Sequence, residues 1–258
     1  GDVDKQMKKV IEYFVTKQAA AEIYVGTDYK ETSISSNVYK IIRNCQLQGG
    51  LAIACGDAGI GKTQACRQYY REHGTNCIYI TVNPCIKSSK SVLELIGSKL
   101  NVSSGSVSRL WLEISSKLSD GMVIIVDEAQ HLTRNAIDTL RSLCDCFDEK
   151  GQTLGICFVG NETTVSRLGG KQKAEFAQIR NRTKNTRFYS VKQIKKSDIE
   201  MLFPDIREDT AAVEFLLCIA QSPQAIRGAV NLYSNALDNG NVTAKGLSAI
   251  AKYMDMAV

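Results

Sequence analysis

Several features that define whole classes of protein are missing from this sequence. It has no apolar run near the roughly 20 residues that a membrane-spanning helix needs, and its first residues form no apolar signal core. The nine cysteines contain no C-x-x-C pair and no Cys/His spacing suited to zinc, which favours reduced thiols. We therefore expect a cytoplasmic protein. Because the first residue is Gly rather than Met, we expect a preceding segment to be missing.

The composition is that of a globular protein with an uneven charge distribution. Of 258 residues, 44% are hydrophobic and 23% charged, and the net charge is only +5. Residues 167–196, however, hold ten basic side chains and a single acidic one, Glu175. This local excess favours a phosphate-rich partner. A solvated basic surface is the alternative interpretation.

Short β-branched apolar runs alternate with segments of helical periodicity, which predicts a parallel sheet covered by helices on both faces. Strands are predicted at 51–55, 77–82, 122–126, 155–159 and 187–191, with helices between them at 62–72, 91–100, 107–118 and 134–147. Helices at 5–21 and 36–47 precede the sheet, and the chain after residue 196 is all-helical. We predict an α/β fold of three parts: an N-terminal helix and linker (1–34), a nucleotide-binding domain (35–194) and a small helical lid (195–258).

The strongest motif is G-x-x-x-x-G-K-[ST], which follows the first predicted strand and opens the next helix. Glycines let backbone N–H groups converge on a phosphate, and the helix N-terminus adds positive potential. The lysine reaches the β- and γ-phosphates and the threonine hydroxyl ligates Mg²⁺. We therefore predict ATP and Mg²⁺ as cofactors, with nucleotide contacts from Gly56, Asp57, Ala58, Gly59, Ile60, Gly61, Lys62, Thr63 and Gln64.

A second motif is the apolar strand that ends in Asp127 and Glu128. An Asp-Glu pair alone is weak evidence, but here it follows a phosphate-binding loop at a plausible distance. Asp127 is predicted to hold Mg²⁺ with Thr63, and Glu128 to act as the general base for the attacking water. By the same logic Asn161, after the next strand, is predicted to contact the γ-phosphate or the water. Arg227, at the start of a lid helix, is predicted to reach back over the nucleotide.

Taken together, these elements resemble the AAA+ superfamily of ATPases: a P-loop, an Asp-Glu strand, a polar residue on the next strand and a helical lid with an arginine. Within it, the runs 54–63 and 125–132 resemble the Mu B-like transposition proteins. The Gly-Gly…Glu-Phe-Ala segment at 168–178 is more specific, since generic P-loop chemistry does not require it. The resemblance runs from about Tyr24 onward and extends more loosely to the transposon regulators TnsC and IstB.

This resemblance implies an ATPase that assembles as helical filaments on double-stranded DNA with little sequence preference, selects target DNA and activates a partner transposase. It implies slow hydrolysis, stimulated by DNA and by assembly, and a location in the cytoplasm of a bacterial or phage-infected bacterial cell. A neighbouring subunit is expected to supply an arginine finger, for which Arg182 matches the family position best and Arg180 is the nearby alternative.

The sequence departs from these relatives at two places. No helix-turn-helix unit precedes Lys5, which we expect to reflect the missing upstream segment, and residues 101–109 are Ser-rich where Mu B has a dense basic cluster. Sequence-independent DNA contacts require Lys, Arg, Ser or Thr. The first candidates are Lys87, Ser88 and Lys90, in the loop after the second strand. Arg109 comes next, followed by Lys171 and Lys173 of the basic segment.

Two alternatives remain open on sequence alone. An AAA+ ATPase that acts on protein partners, such as a loader or an assembly ATPase, would share the nucleotide site. A scaffold that binds nucleotide without hydrolysing it would not need Lys62, Asp127 and Glu128 together. The basic segment and the Gly-Gly…Glu-Phe-Ala run favour the transposition regulator.

Overall fold

The computed structural model describes Met7 and residues 29–164 and 183–256. Apart from Met7, the predicted helix at 5–21 lies outside these ranges. The Gly-Gly…Glu-Phe-Ala segment at 168–178 lies outside them as well. The structural statements that follow concern the described residues.

Five parallel strands form one sheet in the order β2-β3-β4-β1-β5. Because the strands run in one direction, their carboxyl ends meet at a single edge, where ligands bind in open α/β sheets. β1, β3 and β4 are neighbours, so their last residues, Gly56, Asp127 and Gly160, lie together on that edge. The strand bounds are β1 Gly50–Gly56, β2 Cys77–Thr81, β3 Met122–Asp127, β4 Leu154–Gly160 and β5 Thr183–Tyr189.

The central strands β1, β3 and β4 are apolar up to their last residues because both faces of the sheet are covered. Successive side chains point to opposite faces, so Val123 and Ile125 belong to one hydrophobic cluster while Ile124 and Val126 belong to the other. The first cluster is covered by α1 (Ser33–Gln48) and α2 (Lys62–His73). The second is covered by α3 (Ser89–Lys99), α4 (Val107–Lys117) and α5 (Arg134–Asp148).

The helix starts follow from hydroxyl side chains that accept a hydrogen bond from the backbone N–H three residues later. Thr32 caps α1, Ser88 caps α3, Ser106 caps α4 and Thr133 caps α5. The start of α2 is different, because Gly61 at its N-cap provides no side-chain hydrogen bond.

The C-terminal region contains four helices: α6 Lys196–Leu202, α7 Thr210–Ala220, α8 Ala225–Asp238 and α9 Ala244–Tyr253. Their buried residues, such as Leu216 and Leu232, join the hydrophobic cluster that also holds α1 and α2. The predicted α/β fold with a helical C-terminal region is therefore confirmed. None of the helices in 29–164 and 183–256 combines the length and hydropathy that a bilayer crossing requires.

One predicted strand was wrong in its bounds. The fifth strand was predicted at 187–191, but β5 runs from Thr183 to Tyr189, and Val191 begins a 3-10 turn. β5 is an edge strand whose residues are largely exposed, so its first half lacks the apolar run that signals a buried strand. It ends early because the Val191 N–H donates to Asp57 Oδ2, at 2.8 Å, instead of continuing the ladder.

Candidate nucleotide-binding site

The phosphate-binding motif forms the turn between β1 and α2. Gly59 and Gly61 have φ values of 76° and 98°, in the left-handed region that favours glycine. At Gly56 there is no room for a side chain, because a Cβ there would lie 2.0 Å from the Tyr189 carbonyl oxygen. With no capping side chain at Gly61, the first N–H groups of α2 remain open to a bound anion.

Lys62 projects back into this loop and is only 9% exposed. Its Nζ donates to the Gly56 carbonyl at 2.9 Å and to the Asp57 carbonyl at 2.5 Å. Burial lowers the pKa of Lys62, although the negative charges of Asp127 and Glu128 act in the opposite direction. An ammonium held by neutral carbonyls in a buried loop is suited to an anionic ligand such as a phosphate.

Asp127 ends β3 with 2% exposure. The Tyr79 hydroxyl donates to its Oδ2 at 3.0 Å and the Glu128 N–H donates to its Oδ1 at 2.9 Å. Burial raises the pKa of Asp127, while hydrogen bonds from Thr63 and Tyr79 act to lower it. The structure thus brings the Thr63 hydroxyl and the Asp127 carboxylate together, as a Mg²⁺ site between them requires.

Tyr79 was not predicted as a site residue from the sequence. It lies on β2, next to β3, where its register partner is Ile125. A tyrosine flanked by Ile78 and Ile80 was the available signal, because a phenol that becomes partly buried in a strand needs a hydrogen-bond partner.

Glu128 lies at the start of a tight turn at the end of β3. Its backbone is left-handed, with φ 58° and ψ 33°, and a 3-10 turn follows at Ala129–His131. The turn returns the Gln130 side chain to Glu128, where Gln130 Nε2 donates to Glu128 Oε2. Gln130 Oε1 accepts from the Asn161 N–H at 3.3 Å. Gln130 was not among the predicted site residues.

Asn161 directly follows β4. Since β4 pairs with both β1 and β3, Asn161 lies between the phosphate-binding loop and the Asp127–Glu128 pair. Its Oδ1 accepts from the Thr163 N–H at 3.0 Å and from the Thr163 hydroxyl at 2.6 Å. Its side-chain oxygen is therefore used locally, and a contact of Asn161 with the γ-phosphate or the water stays a prediction.

The lid meets the phosphate-binding loop at the start of α8. The Arg227 N–H donates to the Gly59 carbonyl at 3.1 Å, and Ala225 takes a left-handed φ of 57° just before it. A Cβ added at Gly59 would lie 3.2 Å from the Cβ atoms of Ala225 and Arg227. The Arg227 side chain itself is exposed.

Two carboxylates connect the loop and the lid to the rest of the fold. Asp57 donates its N–H to the Tyr189 carbonyl at 3.0 Å, and its carboxylate binds the Val191 N–H. Asp57, predicted as a nucleotide contact, therefore fixes the loop to the end of β5. Asp198, 2% exposed, accepts from the Ser33 N–H and hydroxyl, both at 2.7 Å, and from the Lys195 N–H at 2.9 Å. This link between α1 and α6 was not predicted.

The predicted DNA contacts fall into three groups. Lys87 and Lys90 are exposed at the start of α3, with Lys90 3.9 Å from Glu94. The Ser88 hydroxyl caps α3, and Arg109 binds Glu113 at 2.6 Å, so both are already engaged. Lys171, Lys173 and the arginine-finger candidates Arg180 and Arg182 lie outside the described residues.

The fold and this site together define the class of the protein. Residues 45–168 match the family model described as an AAA domain. The chain resembles the ORC2 protein of Aeropyrum pernix, with a TM-score of 0.60, 13% identity and coverage of 84% of this chain and 66% of that one, just under two thirds. It also resembles the RuvB Holliday junction branch migration motor of Thermotoga maritima, with a TM-score of 0.52, 15% identity and coverage of 85% and 68%. The chain therefore contains an AAA domain with a P-loop and has an AAA-type fold, and the family match supports ATPase activity.

Sequence comparison narrows this class. The chain is 28% identical over 254 residues to the ATP-dependent target DNA activator B of Escherichia phage Mu, covering 95% of this chain and 77% of the phage protein. It is 27% identical over 245 residues to the Mu-like prophage FluMu DNA transposition protein B of Haemophilus influenzae, covering 91% of this chain and 82% of that protein. The predicted resemblance to Mu B-like proteins is confirmed.

Proposed function

We propose that this chain is an ATP-dependent regulator of DNA transposition. It binds double-stranded DNA without sequence preference, forms homo-oligomeric helical filaments on it, selects target DNA and activates a partner transposase. The observation that carries the proposal is the similarity over 95% of the chain to a protein named ATP-dependent target DNA activator B. The phosphate-binding loop, the contact between Thr63 and Asp127, and Glu128 directly after β3 support it.

The nucleotide chemistry follows from the geometry of the loop. The N–H groups around Gly61 and the Lys62 ammonium would bind the phosphates, and Thr63 with Asp127 would hold Mg²⁺. When bound, Mg²⁺ neutralises charge on the phosphate oxygens. Glu128, at the same sheet edge, takes the proton of the attacking water as general base.

One asparagine and two arginines, one of them from a neighbouring subunit, complete the proposed site. Asn161 orients the γ-phosphate or the water from the end of β4, and Arg227 closes over the nucleotide from the lid. In a filament, Arg182 or the nearby Arg180 of a neighbouring subunit would supply positive charge to the γ-phosphate. Supplying that charge from a neighbour makes hydrolysis depend on assembly.

The proposed DNA contacts centre on Lys87 and Lys90. Both are exposed, and the loop that precedes them follows β2 at the edge of the sheet that also carries the nucleotide site. Lysines bind the phosphate backbone without regard to base sequence. Ser88 and Arg109 contribute less, because Ser88 caps α3 and Arg109 lies 2.6 Å from Glu113, whereas Lys90 lies 3.9 Å from Glu94. Lys171 and Lys173 are secondary candidates.

The test is binding to a labelled random-sequence duplex with ATP, with ADP and with a slowly hydrolysed ATP analogue, followed by electron microscopy. Cooperative, salt-sensitive binding in the ATP-like states, with filaments on the grid, is expected. Nucleotide-independent binding, or none, would contradict the proposal. It would favour the alternative, an AAA+ ATPase that acts on protein partners.

A matched set of lysine variants locates the DNA contacts. K87A/K90A should weaken binding and reduce the slope of log K against log salt by roughly 0.9 for each DNA phosphate that the variant no longer neutralises. Lys99 lies in the last turn of the same helix and is also exposed, so K99A is the control. Equal effects of the two changes would rule out a specific role for the α3 N-terminus.

A further inference from the structure

The Gln130 side chain connects Glu128, the proposed general base, to the backbone of Asn161. Its amide nitrogen donates to Glu128 Oε2, and its amide oxygen accepts from the backbone N–H of Asn161 at 3.3 Å. One side chain therefore connects the end of β3 to the end of β4. Because a backbone N–H can only donate, the amide oxygen must face Asn161 and the NH₂ group must face the carboxylate.

The surrounding backbone is shaped to admit this side chain. A Cβ at Gly160 would lie 2.5 Å from Gln130 Oε1 and 2.3 Å from Thr164 Oγ1, closer than real carbon contacts allow. The left-handed backbone at Glu128 and the 3-10 turn after it bring Gln130 back towards the carboxylate. The absence of a side chain at Gly160 therefore leaves room for the Gln130 amide, and the turn after β3 directs that amide towards Glu128.

We propose that Gln130 is a positioning residue for ATP hydrolysis, one that orients Glu128 towards the attacking water. The amide binds one carboxylate oxygen and leaves the other available to take a proton. A general base held by a third group is the usual arrangement of an activated nucleophile. The inference rests on the proposed role of Glu128 and adds to it how that carboxylate is held.

The test compares steady-state hydrolysis by variants at Gln130. Q130M keeps the length of the side chain and removes the amide, and Q130E keeps its shape and replaces the donor with an oxygen. Both should lower kcat by on the order of tenfold or more, short of the roughly 10²- to 10⁴-fold loss expected on removing a general base. KM and the affinity for a fluorescent ATP analogue should change by less than about twofold, because Gln130 acts on the water and not on the phosphates.

The control variant is Q68M. Gln68 lies on α2 and donates to Glu72 at 2.6 Å, so this change removes a similar amide–carboxylate bond outside the proposed catalytic groups. Its kcat should stay within about twofold of the parent protein. Thermal melting shows whether each variant is folded. If Q130M does not fold, Q130E is used for the comparison.

A double-mutant cycle separates positioning from packing. If Gln130 acts through Glu128, Q130M should have no further effect on kcat in an E128Q background. Additive losses would overturn the proposal, as would a change in KM with kcat unaltered. Full activity of E128Q would show instead that Glu128 is not the base, which removes the group that Gln130 is proposed to orient.

Discussion

The contact between the lid and the phosphate-binding loop yields a quantitative prediction. Gly59 has a φ of 76° and accepts the Arg227 N–H, and a Cβ on it would lie 3.2 Å from the Cβ atoms of Ala225 and Arg227. Gly59→Ala therefore introduces two separable effects. It strains the backbone, and it pushes the start of α8 away from the loop.

Gly121 provides the matched control. It also has a φ of 76°, but no atom lies within 4 Å of the Cβ that alanine would add. Gly121→Ala should therefore lower the free energy of unfolding by the left-handed strain alone, about 1–2 kcal/mol. For a chain of this size that corresponds to a fall in Tm of roughly 2–4 °C per kcal/mol.

Gly59→Ala should lose the same strain energy and more. Displacing the lid weakens the Arg227–Gly59 hydrogen bond, which contributes about 0.5–1.5 kcal/mol. The excess loss relative to Gly121→Ala is therefore expected to be of that size. Thermal and urea unfolding without nucleotide measure it, so the result does not depend on how ATP binds.

A second change tests whether the excess comes from the lid. Ala225→Gly removes one of the two Cβ atoms that the new methyl group would meet. The loss of unfolding free energy caused by Gly59→Ala should then be smaller in the Ala225→Gly background than in the parent protein. Equal destabilisation by Gly59→Ala and Gly121→Ala would refute the reasoning, because it would mean that α8 does not contact the loop in solution.

Three further predictions concern buried charged groups. Lys62→Met should abolish the rise in Tm that ATP causes in the parent protein, since the buried ammonium is the cation placed for the phosphates; an unchanged ATP-induced shift would contradict this role. Burial raises the pKa of Asp127, so the folded chain keeps this proton at pH values where the unfolded chain has lost it, and stability falls as pH rises through that window. Asp127→Asn should therefore raise the Tm measured without nucleotide at neutral pH, reduce the pH dependence of that Tm and abolish hydrolysis. A lower Tm would show instead that the carboxylate stabilises the fold. Asp198→Ala leaves three donors without their acceptor and should lower the free energy of unfolding by at least about 3 kcal/mol, since each unsatisfied buried group costs about 1–3 kcal/mol. Ser33→Ala, which removes one of those bonds, should cost clearly less in the same urea titration.

The elements predicted with the right bounds are those with strong local signals. β1, β3 and β4 are short apolar runs between turn residues, and the helices from α2 to α5 have apolar residues at helical spacing; their observed ends lie within about two residues of the predicted ones. β5 was misplaced because an exposed edge strand carries little hydrophobic pattern. Its end depends on a hydrogen bond between Val191 and Asp57, residues 134 positions apart.

The nucleotide site likewise contains residues that the sequence indicated and residues that it did not. Gly56–Thr63 and the Asp127–Glu128 pair were recognised because their chemistry requires fixed spacings along the chain. Tyr79, Gln130 and Asp198 were not, since each acts on a group from another strand or helix. Isolated polar residues of this kind have no periodicity or spacing that indicates their partner.

The sequence by itself therefore determined the fold class and the identity of the phosphate-binding and acidic motifs, because hydrophobic period and motif spacing are local properties of the chain. Only the tertiary structure decided the strand order, the contact of the lid with Gly59 and the hydrogen bond between the Asn161 N–H and Gln130. These depend on which elements pack side by side, and packing partners are selected by the summed burial of surfaces that lie far apart in the sequence.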